Sequence, residues 1–143
     1  MAGLLSGWSK KRDASKALKA GRQFLLENAK KEGVVTTASG LQYKIIKAGE
    51  GPKAKAWHKV TVHYKGTFLD GSEFDSTNEE SGPATFLIGE VIHGWAEALK
   101  LMSVGSIHQL FIPSELAYGS RGAGGDIGPN ETLIFRTELL ELS

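Results

Sequence analysis

Lys59-Val60-Thr61-Val62-His63-Tyr64-Lys65 is the stretch that decides the architecture. Val60, Val62 and Tyr64 fall on one face of an extended chain, and Thr61, His63 and Lys65 on the other, the period-two pattern of a half-buried strand. Outward from it, further strands are expected at Leu41 to Ile46, Ala84 to Ile88, Ile107 to Ile112 and Thr132 to Leu140. Turn signals separate them at Gly49 to Pro52, Asp70-Gly71 and Gly82-Pro83. One short helical stretch interrupts the strands, from about Gly94 to Met102, where Trp95, Leu99 and Met102 recur at spacings of four and three. A sheet with that helix packed on one face is the simplest way to bury both stripes, so the fold class is α+β.

The first third of the chain reads differently. From about Ser9 to Glu32 there is no proline, and Ala14, Leu18, Gly21, Leu25 and Ala29 recur at three and four, with Phe24 widening the stripe. This predicts an amphipathic helix stopped at Gly33 by a left-handed cap, with Lys30 and Lys31 in its last turn. Residues 1–33 therefore form a basic helical arm and residues 34–143 a separate β-rich domain. The arm carries eight basic against three acidic groups, a net of +5, whereas the remainder carries nine against thirteen, a net of −4. Only Phe24 interleaves the basic residues, so the charged face reads as solvated helix surface rather than a nucleic-acid or membrane contact.

Composition removes several function classes. The 143 residues, 41% of them hydrophobic, suit one domain with one core. The absence of cysteine excludes a disulfide framework, thiol catalysis and thiolate metal sites. Leu4, Leu5 and Trp8 precede the basic run Lys10-Lys11-Arg12, the wrong order for a secretory signal, and no apolar run reaches the ~18 residues of a membrane span. His58, His63, His93 and His108 show no metal-ligand spacing and read as surface histidines, so no metal and no cofactor are expected. The run Gly119 to Gly128 lacks the Gly-Lys-Ser/Thr of a phosphate loop and the spacing of a dinucleotide fingerprint. No Gly-x-Ser-x-Gly elbow is present.

What remains is a set of large apolar and aromatic residues near strand ends and loops, with one acid among them: Tyr64, Phe74-Asp75, Val91-Ile92, Trp95, Tyr118, Ile127 and Phe135. A carboxylate following Phe74 among apolar neighbours is costly unless it is hydrogen-bonded or paired. In order and spacing, Val62 to Gly66, Asp70 to Ser76, Gly89 to Trp95, Ile112 to Gly119 and Thr132 to Phe135 closely resemble the FKBP-type peptidyl-prolyl cis-trans isomerases. Ser39 to Tyr43, Gly82 to Phe86 and Gly128 to Thr132 look most like the bacterial Mip-type branch.

The resemblance implies an antiparallel sheet of about five strands wrapped around a short central helix, preceded here by the N-terminal helix. It implies acceleration of rotation about X-Pro bonds in folding polypeptides, with rapamycin- and tacrolimus-type macrolides as inhibitors. Trp95 would form the pocket floor, Tyr64, Phe74 and Phe135 its walls, and Val91, Ile92 and Ile127 its rim. Tyr118 would offer its hydroxyl and Ile92 its backbone N–H to peptide carbonyls, and Asp75 would lie beside the reacting amide. Glu80 stands where many members carry an arginine partner for that acid, and Ala84 replaces an aromatic of tight drug-binding members, so weaker macrolide binding is expected. A chaperone or scaffold role for the same pocket is the competing reading. Mip-type proteins commonly place a dimerisation module ahead of the domain; here a monomer or a dimer through Leu4, Leu5 and Trp8 is expected. The expected compartment is the cytoplasm, or the periplasm if a signal segment has been removed.

Overall fold

The computed structural model describes residues 2–143, with side chains from Ala14 onward. A long helix α1 (Ala2–Asn28) leads into β1 (Val34–Thr36) and β2 (Gln42–Lys47). Then come β3 (Lys59–Thr67), β4 (Glu73–Ser76), β5 (Ala84–Leu87), α2 (His93–Lys100), β6 (Ile107–Ile112) and β7 (Leu133–Leu142). The strands make one antiparallel sheet in the order β1-β2-β6-β7-β3-β4, and β5 pairs with the stretch of the β3 edge that β4 leaves free. All five expected strands are present. The sheet is larger than expected by β1 and β4, of three and four residues.

Val60 and Val62, the inward residues of the deciding stretch, have no exposed surface. They belong to one buried cluster with Leu110, Leu133 and Leu139 of the sheet, Leu41 just before β2, and Trp95, Ala98, Leu99 and Met102 of the α2 segment. The helix therefore closes the concave side of the sheet, as the four-and-three spacing of its apolar residues requires. Among the described residues, no helix is long and apolar enough to cross a membrane.

The arm lies against the domain. Phe24 meets Phe111 of β6 with ring centroids 5.9 Å apart, and the Gln42 side-chain amide donates to the Leu25 carbonyl at 2.9 Å. Asn28, 2% exposed, donates to Gln42 Oε1 at 2.8 Å, and Asn130 donates to the Ala14 carbonyl at 3.1 Å. The helix ends at Asn28 rather than Glu32 because that buried amide is tied to β2. The backbone then tightens through i→i+3 turns at Lys30 and Lys31, which fall past the helix end, and reverses at Gly33 with φ of 82°. Asn28, not Ala29, supplies the last inward position of the stripe. The side chains of Leu4, Leu5 and Trp8, expected either to pair two arms or to dock onto the domain, lie outside the described residues, as do those of Lys10, Lys11 and Arg12.

The histidines correct one expectation. His108 is 4% exposed rather than on the surface, because it occupies an inward position of β6 opposite Thr137 and stacks on Tyr43 at 5.6 Å. Its Nδ1 has no hydrogen-bond partner, and burial, aided by the charge of Lys53, holds its pKa below the ordinary histidine value.

Gly21 is the point of closest approach of the arm: a Cβ added there would overlap the Thr132 hydroxyl. Gly21→Leu should push α1 from the sheet and lower the free energy of unfolding by about 1–3 kcal/mol, read by chemical denaturation. Unchanged stability would mean that the packed arm contributes nothing to the fold.

Candidate functional site

The site begins where β3 changes partner. Residues 59–62 pair with β5 and residues 65–67 with β4, so the backbone of Tyr64 faces neither strand. Thr77 fills the gap: its N–H donates to the Tyr64 carbonyl and its Oγ1 accepts from the Tyr64 N–H, both at 3.0 Å. The Thr77 hydroxyl also meets His63 Nδ1 at 2.9 Å. The break in the ladder thus leaves no orphaned backbone group, and the Tyr64 side chain is fixed toward α2.

Two residues on, a Cβ at Gly66 would lie 2.6 Å from Phe74 and 2.9 Å from Phe135. Glycine at this inward position lets both rings close over β3, where they meet edge to face with centroids 5.5 Å apart. Trp95 enters from the other side. Its indole N–H donates to Thr137 Oγ1 of β7 at 3.2 Å, and its ring centroid lies 5.3 Å from Tyr64, 5.2 Å from Phe86 and 5.5 Å from Phe135.

These rings border a cavity of about 290 Å³ lined by Tyr64, Phe74, Asp75, Phe86, Glu90, Val91, Ile92, Trp95, Tyr118 and Phe135. Eight of the nine residues singled out in the sequence therefore converge. Ile127 does not line the cavity; it is 6% exposed, inside the buried cluster, where its backbone bridges to Ala123. Phe86 and Glu90 were missed. Alternation along β5 would have found Phe86, which lies opposite the buried Val60 and so points inward with it. Glu90, in a short 3-10 turn, had no comparable signal. A larger groove behind the sheet, lined by His63, Lys65, Arg136 and Glu138 among others, has charged walls in place of these rings.

The polar groups of the cavity divide into two kinds. Asp75 is engaged, accepting from the Tyr64 hydroxyl at 2.6 Å, so a phenol stands where an arginine partner was in question; Glu80 is exposed. Tyr118 is 39% exposed, and neither its hydroxyl nor the Ile92 N–H has a hydrogen-bond partner among the described residues. The site therefore presents two free donors above an apolar floor.

Burial, then the hydrogen bond and charge of Asp75, push the Tyr64 phenol far above the ordinary tyrosine value. Its folded pKa being raised, the protonated phenol contributes stability that is fully present below about pH 10 and is lost as pH climbs toward the folded value. An ultraviolet titration should show one phenol that resists ionisation above pH 10, and Tyr64→Phe should abolish that late step. Persistence of the step in the variant would place the resistant phenol elsewhere.

Residues 51–140 match the sequence model of the FKBP-type peptidyl-prolyl cis-trans isomerases, and residues 7–45 that of the domain amino-terminal to them. The outer membrane protein MIP of Legionella longbeachae is 51% identical over 135 residues, which are 94% of this chain and 57% of that protein. The crystal structure of FkpA from Escherichia coli superposes with a TM-score of 0.90 at 39% identity, covering 96% of this chain and 64% of that one. A peptidyl-prolyl cis-trans isomerase from Pseudomonas syringae pv. tomato superposes with a TM-score of 0.84 at 39% identity, over 91% of this chain and 96% of that one. The chain spans about half the length of the curated relatives it matches. With the antiparallel sheet closed on one short helix and two matching sequence models along its length, the chain belongs to the FKBP-type peptidyl-prolyl cis-trans isomerase family.

Proposed function

We propose that this chain accelerates cis/trans rotation about X-Pro bonds in polypeptides, with residues 34–143 as the catalytic domain and residues 1–33 as an arm that packs on it through residues 14–28. The observation that carries the reading is the ring-lined cavity of about 290 Å³ with two unpartnered donors at its edge. It is small for a ligand site, at or below ~300 Å³, and suits a single prolyl unit.

The chemistry requires no nucleophile. The X-Pro bond resists rotation because its planar amide is resonance-stabilised, with a barrier of roughly 18–20 kcal/mol. Twisting the bond removes the resonance and much of its charge separation, so a cavity walled by Trp95, Phe86, Phe135 and Phe74 favours the twisted amide over the planar one. The free Tyr118 hydroxyl and Ile92 N–H would hold the flanking carbonyls, fixing the chain on each side of the rotating bond. Lowering the barrier by about 7 kcal/mol accelerates exchange by about five decades. Asp75, held by Tyr64, would lie beside the amide as a fixed negative charge.

Rapamycin- and tacrolimus-type macrolides would enter the same cavity. Phe86 keeps one aromatic wall, while Ala84 and the absence of an arginine at the Asp75 pair support weaker binding than in the tightest members. Clients would be proline-containing chains whose isomerisation limits folding. The name of the Legionella longbeachae relative, an outer membrane protein, favours the periplasmic alternative over the cytoplasmic expectation.

A protease-free isomerisation assay on an X-Pro peptide tests this reading. Tyr118→Phe should lower kcat/KM roughly 2- to 10-fold, the worth of one hydrogen bond, with the thermal midpoint retained. Asp75→Leu should lower it by on the order of tenfold or more. Unchanged turnover in both variants would overturn the assignment of the site.

A further inference from the structure

The outer face of α2 carries a second groove. His93, Ala96, Glu97 and Lys100 recur at three and four residues and so share one side of the helix, while Trp95, Ala98 and Leu99 are buried on the other. Over that face runs a groove of about 400 Å³, walled besides the helix by Ser39 of the β1–β2 turn, Val91 and Leu116. Val91 lines both this groove and the aromatic cavity, so the two hollows meet at one residue. The unpartnered N–H of Ile92, the next residue, lies at the same junction.

The charges in the groove differ in availability. Glu97 accepts from the Ser39 hydroxyl at 2.5 Å, which ties the carboxylate to the groove wall. Lys100, exposed at the far end of α2, has no carboxylate partner among the described residues. An eight-residue helix rises roughly 12 Å. An extended chain crosses that distance in roughly three to four residues.

Resting on the isomerase reading above, we propose that this groove is a client-binding subsite. A polypeptide with its proline in the aromatic cavity leaves across Val91, hydrogen-bonds at Ile92 and lies along α2. Lys100 is then a specificity-determining residue that favours an acidic side chain roughly three to four residues from the proline. The attraction is that of an exposed ion pair, so it shifts kcat/KM by roughly 2- to 5-fold and weakens with added salt.

The test uses the full chain and three kinds of peptide sharing one X-Pro core. The first is a short tetrapeptide. The other two are longer and carry either Glu or Lys at the third and fourth positions from the proline, each made in versions with the charge on either side. The unsubstituted chain should turn over the Glu peptide roughly 2- to 5-fold faster than the Lys peptide for one of the two placements. Lys100→Glu should invert that ratio and leave the tetrapeptide unaffected. Equal ratios for both proteins at both placements, with normal tetrapeptide turnover, would overturn the subsite. Absence of tetrapeptide turnover by the unsubstituted chain would instead count against the isomerase reading. The affinities of the two long peptides, measured by fluorescence anisotropy, then decide the groove independently.

Discussion

The Trp95 indole is gripped from both the helix and the sheet, and the rest of the site depends on that grip. Its N–H is held by Thr137 in a buried hydrogen bond, and its faces and edges are covered by Tyr64, Phe86 and Phe135 from three different strands. A buried indole without a partner for its N–H would be costly, so the bond to Thr137 fixes one orientation of the ring. That orientation makes Trp95 both part of the core, at 5% exposure, and part of the cavity lining. Stability and binding surface are two sides of the same ring.

The remaining walls follow from irregularities in the sheet. Where β3 passes from β5 to β4, an ordinary ladder would leave Tyr64 unpaired, and Thr77 supplies both missing backbone partners. Two residues later the strand sacrifices a side chain altogether, and Gly66 admits Phe74 and Phe135. A side chain there would displace the two rings that wall the cavity. The hydrogen bond from Tyr64 to Asp75 spans the same switch and joins β3 to β4 across the cavity edge.

Much of this was legible in the residues, for definite reasons. Alternation along residues 59–65 identified β3, similar runs located β2, β5, β6 and β7, and the spacing of Trp95, Leu99 and Met102 found the short helix α2. The five ordered motifs of the resemblance contain all eight of the expected residues that line the cavity. What escaped was tertiary in origin. The arm is an amphipathic helix by pattern, but its endpoint is decided by the Asn28 to Gln42 bond, a contact across fourteen positions that no local signal encodes. His108 reads as a surface histidine for want of any metal-ligand spacing, yet the register of β6 against β7 turns it inward. Ile127 was placed at the rim by family likeness, whereas in this chain its loop folds it into the core.

The arm and the sheet are one packed body over residues 14 to 28, so the arm bears on the stability of the sheet that shapes the cavity. The central claim is that the cavity holds a prolyl unit and eases its rotation there. Exchange NMR of a proline peptide with substoichiometric protein tests this most directly. The account predicts exchange cross-peaks between the cis and trans proline signals, together with contacts from the proline ring to the Trp95 and Phe135 protons. Exchange accompanied by proline contacts to some other part of the surface, or contacts to these rings with no acceleration of exchange, would contradict it.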